Sequence, residues 1–220
     1  MAESAATPAP RLDKLGISRD RPLVIVDVDE VLGLFMKGFG AFLAGRGYEF
    51  RIDRFALFQN IYSQGATEHL DLETGRALFN EFFASHCADI EPAPGAIEAL
   101  NRLDRRAEVL ILSNAPPQAE VLRGEWLRRH GLHHPLILSS GPKGPITAGL
   151  VAQTPQRSAF VDDLLPNLDS VREHAPATAT FQHVADERLR PLAPSAPDRH
   201  PRIDDWPELA LAIEAAIHRP

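Results

Sequence analysis

The chain has 220 residues, 44% hydrophobic and 24% charged, which suits one main globular domain with room for a smaller insertion. Its formal net charge is -7 with acidic and basic residues interspersed, so it offers no broad positive surface to a nucleic acid polymer or an anionic membrane. Cys87 is the only cysteine, which excludes an internal disulfide and a multi-cysteine zinc site, and no run of about 18 apolar residues is present to span a bilayer.

Residues 1–20, rich in Ala and Pro and without the apolar core of an export signal, read as a flexible arm, and a cytoplasmic setting is expected. Regular structure begins at Leu23. The runs 23–28, 109–112, 135–138 and 159–161 are apolar, too short for helices and bounded by polar or turn residues, so each predicts a buried strand; 177–181 is a weaker fifth. Between them, 96–106, 118–130 and 165–174 carry helical periodicity, and a last helix is expected from Asp205 as cap through Ile217. Alternating strands and helices predict an α/β fold: a doubly wound, mainly parallel sheet with helices on both faces.

Residues 34–91 break the alternation. Nine of the eleven phenylalanines fall there (Phe35, Phe39, Phe42, Phe50, Phe55, Phe58, Phe79, Phe82 and Phe83), enough for a separate small core, and the segment is expected to be an inserted all-helical subdomain. Residues 90–95, IEPAPG, form its return hinge. The main domain is then 21–33 with 92–220, and the proline-rich stretch 190–202 is surface loop.

The polar residues at the strand ends carry the chemistry. Asp27 and Asp29 stand two apart where the first strand runs out, so extended backbone sends both carboxylates off one face. Their repulsion calls for a cation, a donor or a shared proton. The second strand ends in Ser113 and Asn114, the fourth in Asp162 and Asp163, and Lys143 precedes Pro145 at a first helical position, where it would point inward. Each has an ordinary explanation as a turn, a strand end, a loop lysine or a helix cap; the ordered set at one edge of one sheet is much harder to explain that way. His130, His133 and His134 read as cationic groups at a helix end, Cys87 as a buried or hinge residue, and Lys37, Arg46, Arg51, Arg54 and Arg76 as surface charges, any one of which would be placed to meet a substrate.

With these four motifs in order, DVDEVL, LILSNAP, Lys143 and VDD, the chain resembles the haloacid dehalogenase-like (HAD) superfamily in its phosphatase branch, over residues 23–174. The resemblance implies a Rossmann-like core, a type C1 cap at 34–91, and Mg²⁺-dependent hydrolysis of a small phosphorylated metabolite through an aspartyl phosphate. It casts Asp27 as nucleophile and metal ligand. Asp29 would be general acid and base, with its backbone carbonyl on Mg²⁺. Ser113, Asn114 and Lys143 would bind the phosphoryl group, and Asp162 or Asp163 would complete the metal shell, with Asp162 preferred and Asn167 in support. Glu30 departs from the pattern, since many relatives have glycine there; it adds negative charge or turns toward the cap. Transfer to an acceptor other than water and a catalytically silent phospho-ligand binder are the competing readings, and an exposed aromatic patch on the cap would support a homodimer.

Overall fold

The computed structural model describes residues 9–218. Five parallel strands form the central sheet: β1 (Leu23–Val26), β4 (Glu108–Ser113), β5 (Leu136–Leu138), β6 (Ser158–Asp162) and β7 (Ala179–Gln182). Their spatial order is β5-β4-β1-β6-β7. All five are the strands expected from apolar runs, because a strand buried on both faces has no polar side to alternate with. The chain winds outward from β1 through β4 to β5, then returns to β6 on the other side of β1. Strand order therefore reverses beside β1, and the carboxyl edge there is where a ligand crevice opens in such sheets.

Five of the seven helices carry the windings around the sheet, α3 (Ala96–Leu103), α4 (Glu120–Arg129), α5 (Gly144–Val151), α6 (Leu165–His174) and α7 (Trp206–Ile217); the other two, α1 (Phe35–Ala44) and α2 (Leu72–Ser85), lie in the insertion. One face of the sheet packs Val24, Val26, Val109, Ile111 and Val161 against Leu100, Trp126 and Leu209. The other packs Leu23, Ile25, Leu110 and Phe160 against Leu150, Leu168 and Val171.

Two expectations are corrected. The arm expected to be loose is docked from residue 9 onward: Leu12 and Ile17 are buried in the second cluster, and Gln153 accepts from Leu12 N at 3.0 Å while donating to Pro10 O at 2.9 Å. Burial of two apolar side chains in the cluster that holds Ile146 and Leu150 of α5 outweighs a loop-like composition. Residues 1–8 of that arm lie outside the described residues. The insertion is mainly helical but adds an antiparallel ribbon, β2 (Tyr48–Phe50) paired with β3 (Ile61–Ser63).

The phenylalanines pack on one another, not as a separate core but within the cluster that covers one face of the sheet. Phe35, Phe39 and Phe42 repeat along one face of α1 and meet Phe82 of α2 at ring-centroid distances of 5.5, 5.4 and 5.5 Å. Tyr48, Phe50, Phe55, Phe58 and Phe79 are half-buried, and no phenylalanine is among the exposed large hydrophobics of the described residues.

Two chain passages join insertion to core, side by side. Leu34 N donates to Glu91 O at 2.9 Å and Ala93 N to Leu32 O at 2.8 Å, with Gly33 bridged to Pro92. A Cβ on Gly33 would lie 2.4 Å from Ile90 Cδ1, so any larger residue there would have to displace the Ile90 side chain. Both tryptophans pin this junction from the core side: Trp126 donates from Nε1 to Ile90 O at 2.8 Å and Trp206 to Val31 O at 3.0 Å.

Candidate active site

Asp27 extends β1 by one further bond, its N donating to Val161 O at 3.0 Å, and then the chain coils. The Val28 carbonyl accepts from the amides of Val31, Leu32 and Gly33 at 2.8–3.2 Å. Glu30 sits in this turn at φ 58, a left-handed conformation that costs a non-glycine residue roughly 1 kcal/mol. Its carboxylate offsets the strain by accepting from Met36 N at 2.7 Å, in the first turn of α1, and from Asp186 N at 3.1 Å. Glu30 thus faces the insertion. Burial, with Asp186 nearby, pushes its pKa up to about 8.

Lys143 is the centre of the polar cluster. It is fully buried at the start of α5, with its Nζ 2.8 Å from Asp27 Oδ1 and 2.7 Å from Asp162 Oδ2. Gly144 lets α5 start this deep, since a Cβ there would lie 2.2 Å from Ser170 O of α6. Burial alone would lower the ammonium pKa; the two carboxylates outweigh it and the net shift is upward. Asp27, Asp162 and Asp163 bring carboxylate oxygens within 4.8 Å of one another. Burial, then the neighbouring carboxylates, push Asp163 well above the usual range; burial also pushes Asp27 up to about 7, against the pull of Lys143. Three acids and one ammonium leave surplus negative charge in a buried space, and hard oxygen donors in that number suit Mg²⁺.

The two adjacent aspartates have different surroundings. Asp162 is saturated: besides Lys143, it accepts from Leu164 N at 2.9 Å and from Asn167 Nδ2 at 3.0 and 3.2 Å. Asp163 faces the cavity between core and insertion, a space of about 240 Å³ that Asp27, Asp29, Glu30, Asn114 and Asn167 also line. Ser113 is buried at the tip of β4 with no hydrogen-bond partner for its Oγ. Asn114 is held by Gly141 O, to which Nδ2 donates at 2.9 Å, and by Ser139 Oγ, which donates to its Oδ1 at 2.7 Å.

Asp29 does not join the carboxylate cluster. Its Oδ1 accepts from Arg123 Nη2 at 2.6 Å, and Arg123 is fully buried on α4. Sequence reasoning missed Arg123, although a signal was present: it stands three and four residues before Trp126 and Leu127, on the buried face of the predicted helix, where a cation needs an anionic partner. Of the other candidates, His134 lies 3.6 Å from Asp104 and His130 packs on Trp126, while Cys87 is buried with its Sγ donating to Phe83 O. Lys37, Arg46 and Arg51 pair with Glu91, Glu81 and Glu49, and none of the insertion's five singled-out cations lines the cavity.

No protein-family model matches the chain, and no curated protein matches it. Solved structures do. A haloacid dehalogenase-like protein of unknown function from Agrobacterium tumefaciens superposes with a TM-score of 0.59 at 21% identity, covering 89% of this chain and 98% of that one. The chain has the haloacid dehalogenase-like fold. A HAD family hydrolase from Deinococcus radiodurans, with bound phosphate and sodium, shares the HAD fold at a TM-score of 0.55 and 17% identity, over 92% of this chain and all of that one (100%). A candidate HAD-hydrolase from Bacillus subtilis, bound to magnesium, does so at 0.57 and 13%, over 88% and 99%. Among the described residues, no helix of this HAD-fold chain is long and apolar enough to cross a membrane.

Proposed function

We propose that the protein hydrolyses a small phosphomonoester with Mg²⁺ as cofactor, through an aspartyl phosphate on Asp27. One observation carries the reading: a buried lysine pairs with Asp27 and Asp162 while Asp163 shares the same 4.8 Å neighbourhood, at the strand-order reversal of a HAD fold. Burying so much like charge is costly unless a cationic group and an anionic ligand complete it.

Asp27 and Asp163 would hold Mg²⁺, with the Asp29 carbonyl as a further oxygen, and Asp162 orients Lys143. The ion supplies positive charge against the phosphoryl oxygens. Lys143 adds a fixed ammonium, and the unpartnered Ser113 Oγ is a donor for a phosphoryl oxygen. Asp27 Oδ attacks phosphorus, the ester P–O bond breaks, and the leaving oxygen takes a proton from Asp29. Asp29 then accepts a proton from water as that oxygen attacks phosphorus; the aspartyl P–O bond breaks, restoring Asp27 and releasing phosphate. Arg123 grips one oxygen of Asp29, which leaves Oδ2 for the proton.

The test is phosphate release from a panel of phosphomonoesters with MgCl₂ or with EDTA. Wild-type protein turns over in MgCl₂ only, and Asp27→Asn does not turn over. Equal turnover in EDTA, or activity surviving in Asp27→Asn, refutes the mechanism.

A further inference from the structure

The walls of the cavity are of two kinds. The floor, from the core, is polar and acidic; the roof, from the insertion, is Phe35 and Met36 of α1, Phe55, Ala56 and Leu57 of the loop before β3, and Phe79 of α2. Not one roof side chain carries a charge or a hydrogen-bonding group beyond the Met36 thioether. Lys37, Arg46 and Arg51 are paired with Glu91, Glu81 and Glu49, and neither Arg54 nor Arg76 lines the cavity, so the roof offers a second anion no cation. The roof loop is also set in place before any ligand arrives: Asn60, fully buried, donates from Nδ2 to Arg54 O at 3.0 Å and to Ala56 O at 2.7 Å. At about 240 Å³ the cavity falls below the ~300 Å³ at which ligand pockets usually begin.

Resting on the phosphatase reading, we infer that the substrates are phosphomonoesters of a compact apolar alcohol, of single-ring size, and that carboxylated and polyhydroxylated esters are rejected. The phosphoryl group lies on the acidic floor with its cations, and the leaving group fills the roof. An aromatic ring there meets Phe35, Phe55 and Phe79, whose faces and edges suit a ring. A carboxylate or a set of hydroxyls would lose water and find no partner on that wall, which lowers binding by tenfold or more.

Benzyl phosphate, 2-phosphoglycolate and glucose 6-phosphate make the comparison, because all three are alkyl esters and intrinsic leaving-group reactivity does not decide among them. kcat/KM for benzyl phosphate should exceed the other two by at least ~10-fold. In Leu57→Arg, which adds a cation to the half-buried roof loop, the preference between benzyl phosphate and 2-phosphoglycolate should shrink or invert. Calorimetry on Asp27→Asn with benzylphosphonate and phosphonoacetate, both non-hydrolysable, reads the same preference without turnover. A preference for benzylphosphonate supports the inference even if no ester is hydrolysed, in which case the phosphatase reading alone falls. Equal or tighter binding of phosphonoacetate, or equal or faster turnover of 2-phosphoglycolate or glucose 6-phosphate, overturns the substrate class and leaves the phosphatase reading standing.

Discussion

Replacing Lys143 with methionine removes the one ammonium shared by Asp27 and Asp162 and keeps most of the side-chain volume. At an effective dielectric of about 20, unit charges at the observed 2.8 and 2.7 Å attract by ~6 kcal/mol each. Returning the ammonium to water recovers several kcal/mol of that sum. What remains uncompensated is a pair of buried carboxylates, and the loss from breaking a buried pair is typically 3–5 kcal/mol. We expect Lys143→Met to lose ~3–5 kcal/mol of unfolding free energy near pH 7.5 without magnesium, read by urea denaturation with an unchanged m-value. Near pH 5 the loss should be smaller, because a stranded carboxylate takes up a proton in place of the missing cation. A loss under ~1 kcal/mol, or one independent of pH, would refute the electrostatic account of the cluster.

Magnesium should raise the wild-type melting temperature, by the equivalent of ~2.7 kcal/mol at a hundred times its Kd, and Asp163→Asn should abolish the increase; a full increase in that variant removes Asp163 from the metal site. Arg123→Leu should leave stability within ~1 kcal/mol, since it removes a buried cation whose Nε and Nη1 have no partners while Asp29 keeps some access to water, yet kcat should fall about tenfold as Asp29 loses its orientation; unchanged kcat would make Arg123 purely structural. His183 is buried with its Nδ1 2.8 Å from Ile203 O, and burial draws its pKa from 6.5 down to about 4. The unfolded chain therefore binds the extra proton, and stability from this group, complete above pH ~6.5, drains away as pH falls toward 4, by ~3 kcal/mol in all. Between pH 7 and 4.5 the wild type should lose ~2.4 kcal/mol more than His183→Asn in denaturation experiments; equal losses would show that His183 is not buried neutral.

The core was legible because its signals are local. Each strand is a short apolar run, and Leu165–His174 matches the periodicity residue for residue, with Pro166 in its first turn. Asp27, Lys143, Asp162 and Asp163 could be placed at one edge because parallel topology delivers every strand end there. What escaped is decided by tertiary packing. The ribbon strands are three residues each, and those of Tyr48–Phe50 are only half-buried, too short for a period of two to stand out beside helices rich in phenylalanine. Leu12 and Ile17 look like loop residues until α5 is beneath them. Nor does sequence distinguish Asp162, enclosed by Lys143, Leu164 N and Asn167, from Asp163, which faces the cavity.

The paired passages between core and insertion form a short two-ply strip, its plies cross-linked by the amides of Leu34 and Ala93. Anchored at Ile90 and Val31 by the two indoles, the strip has a fixed root. Phe35 follows Leu34 of that strip directly, so the apolar roof over the aspartates is held from the same anchor points.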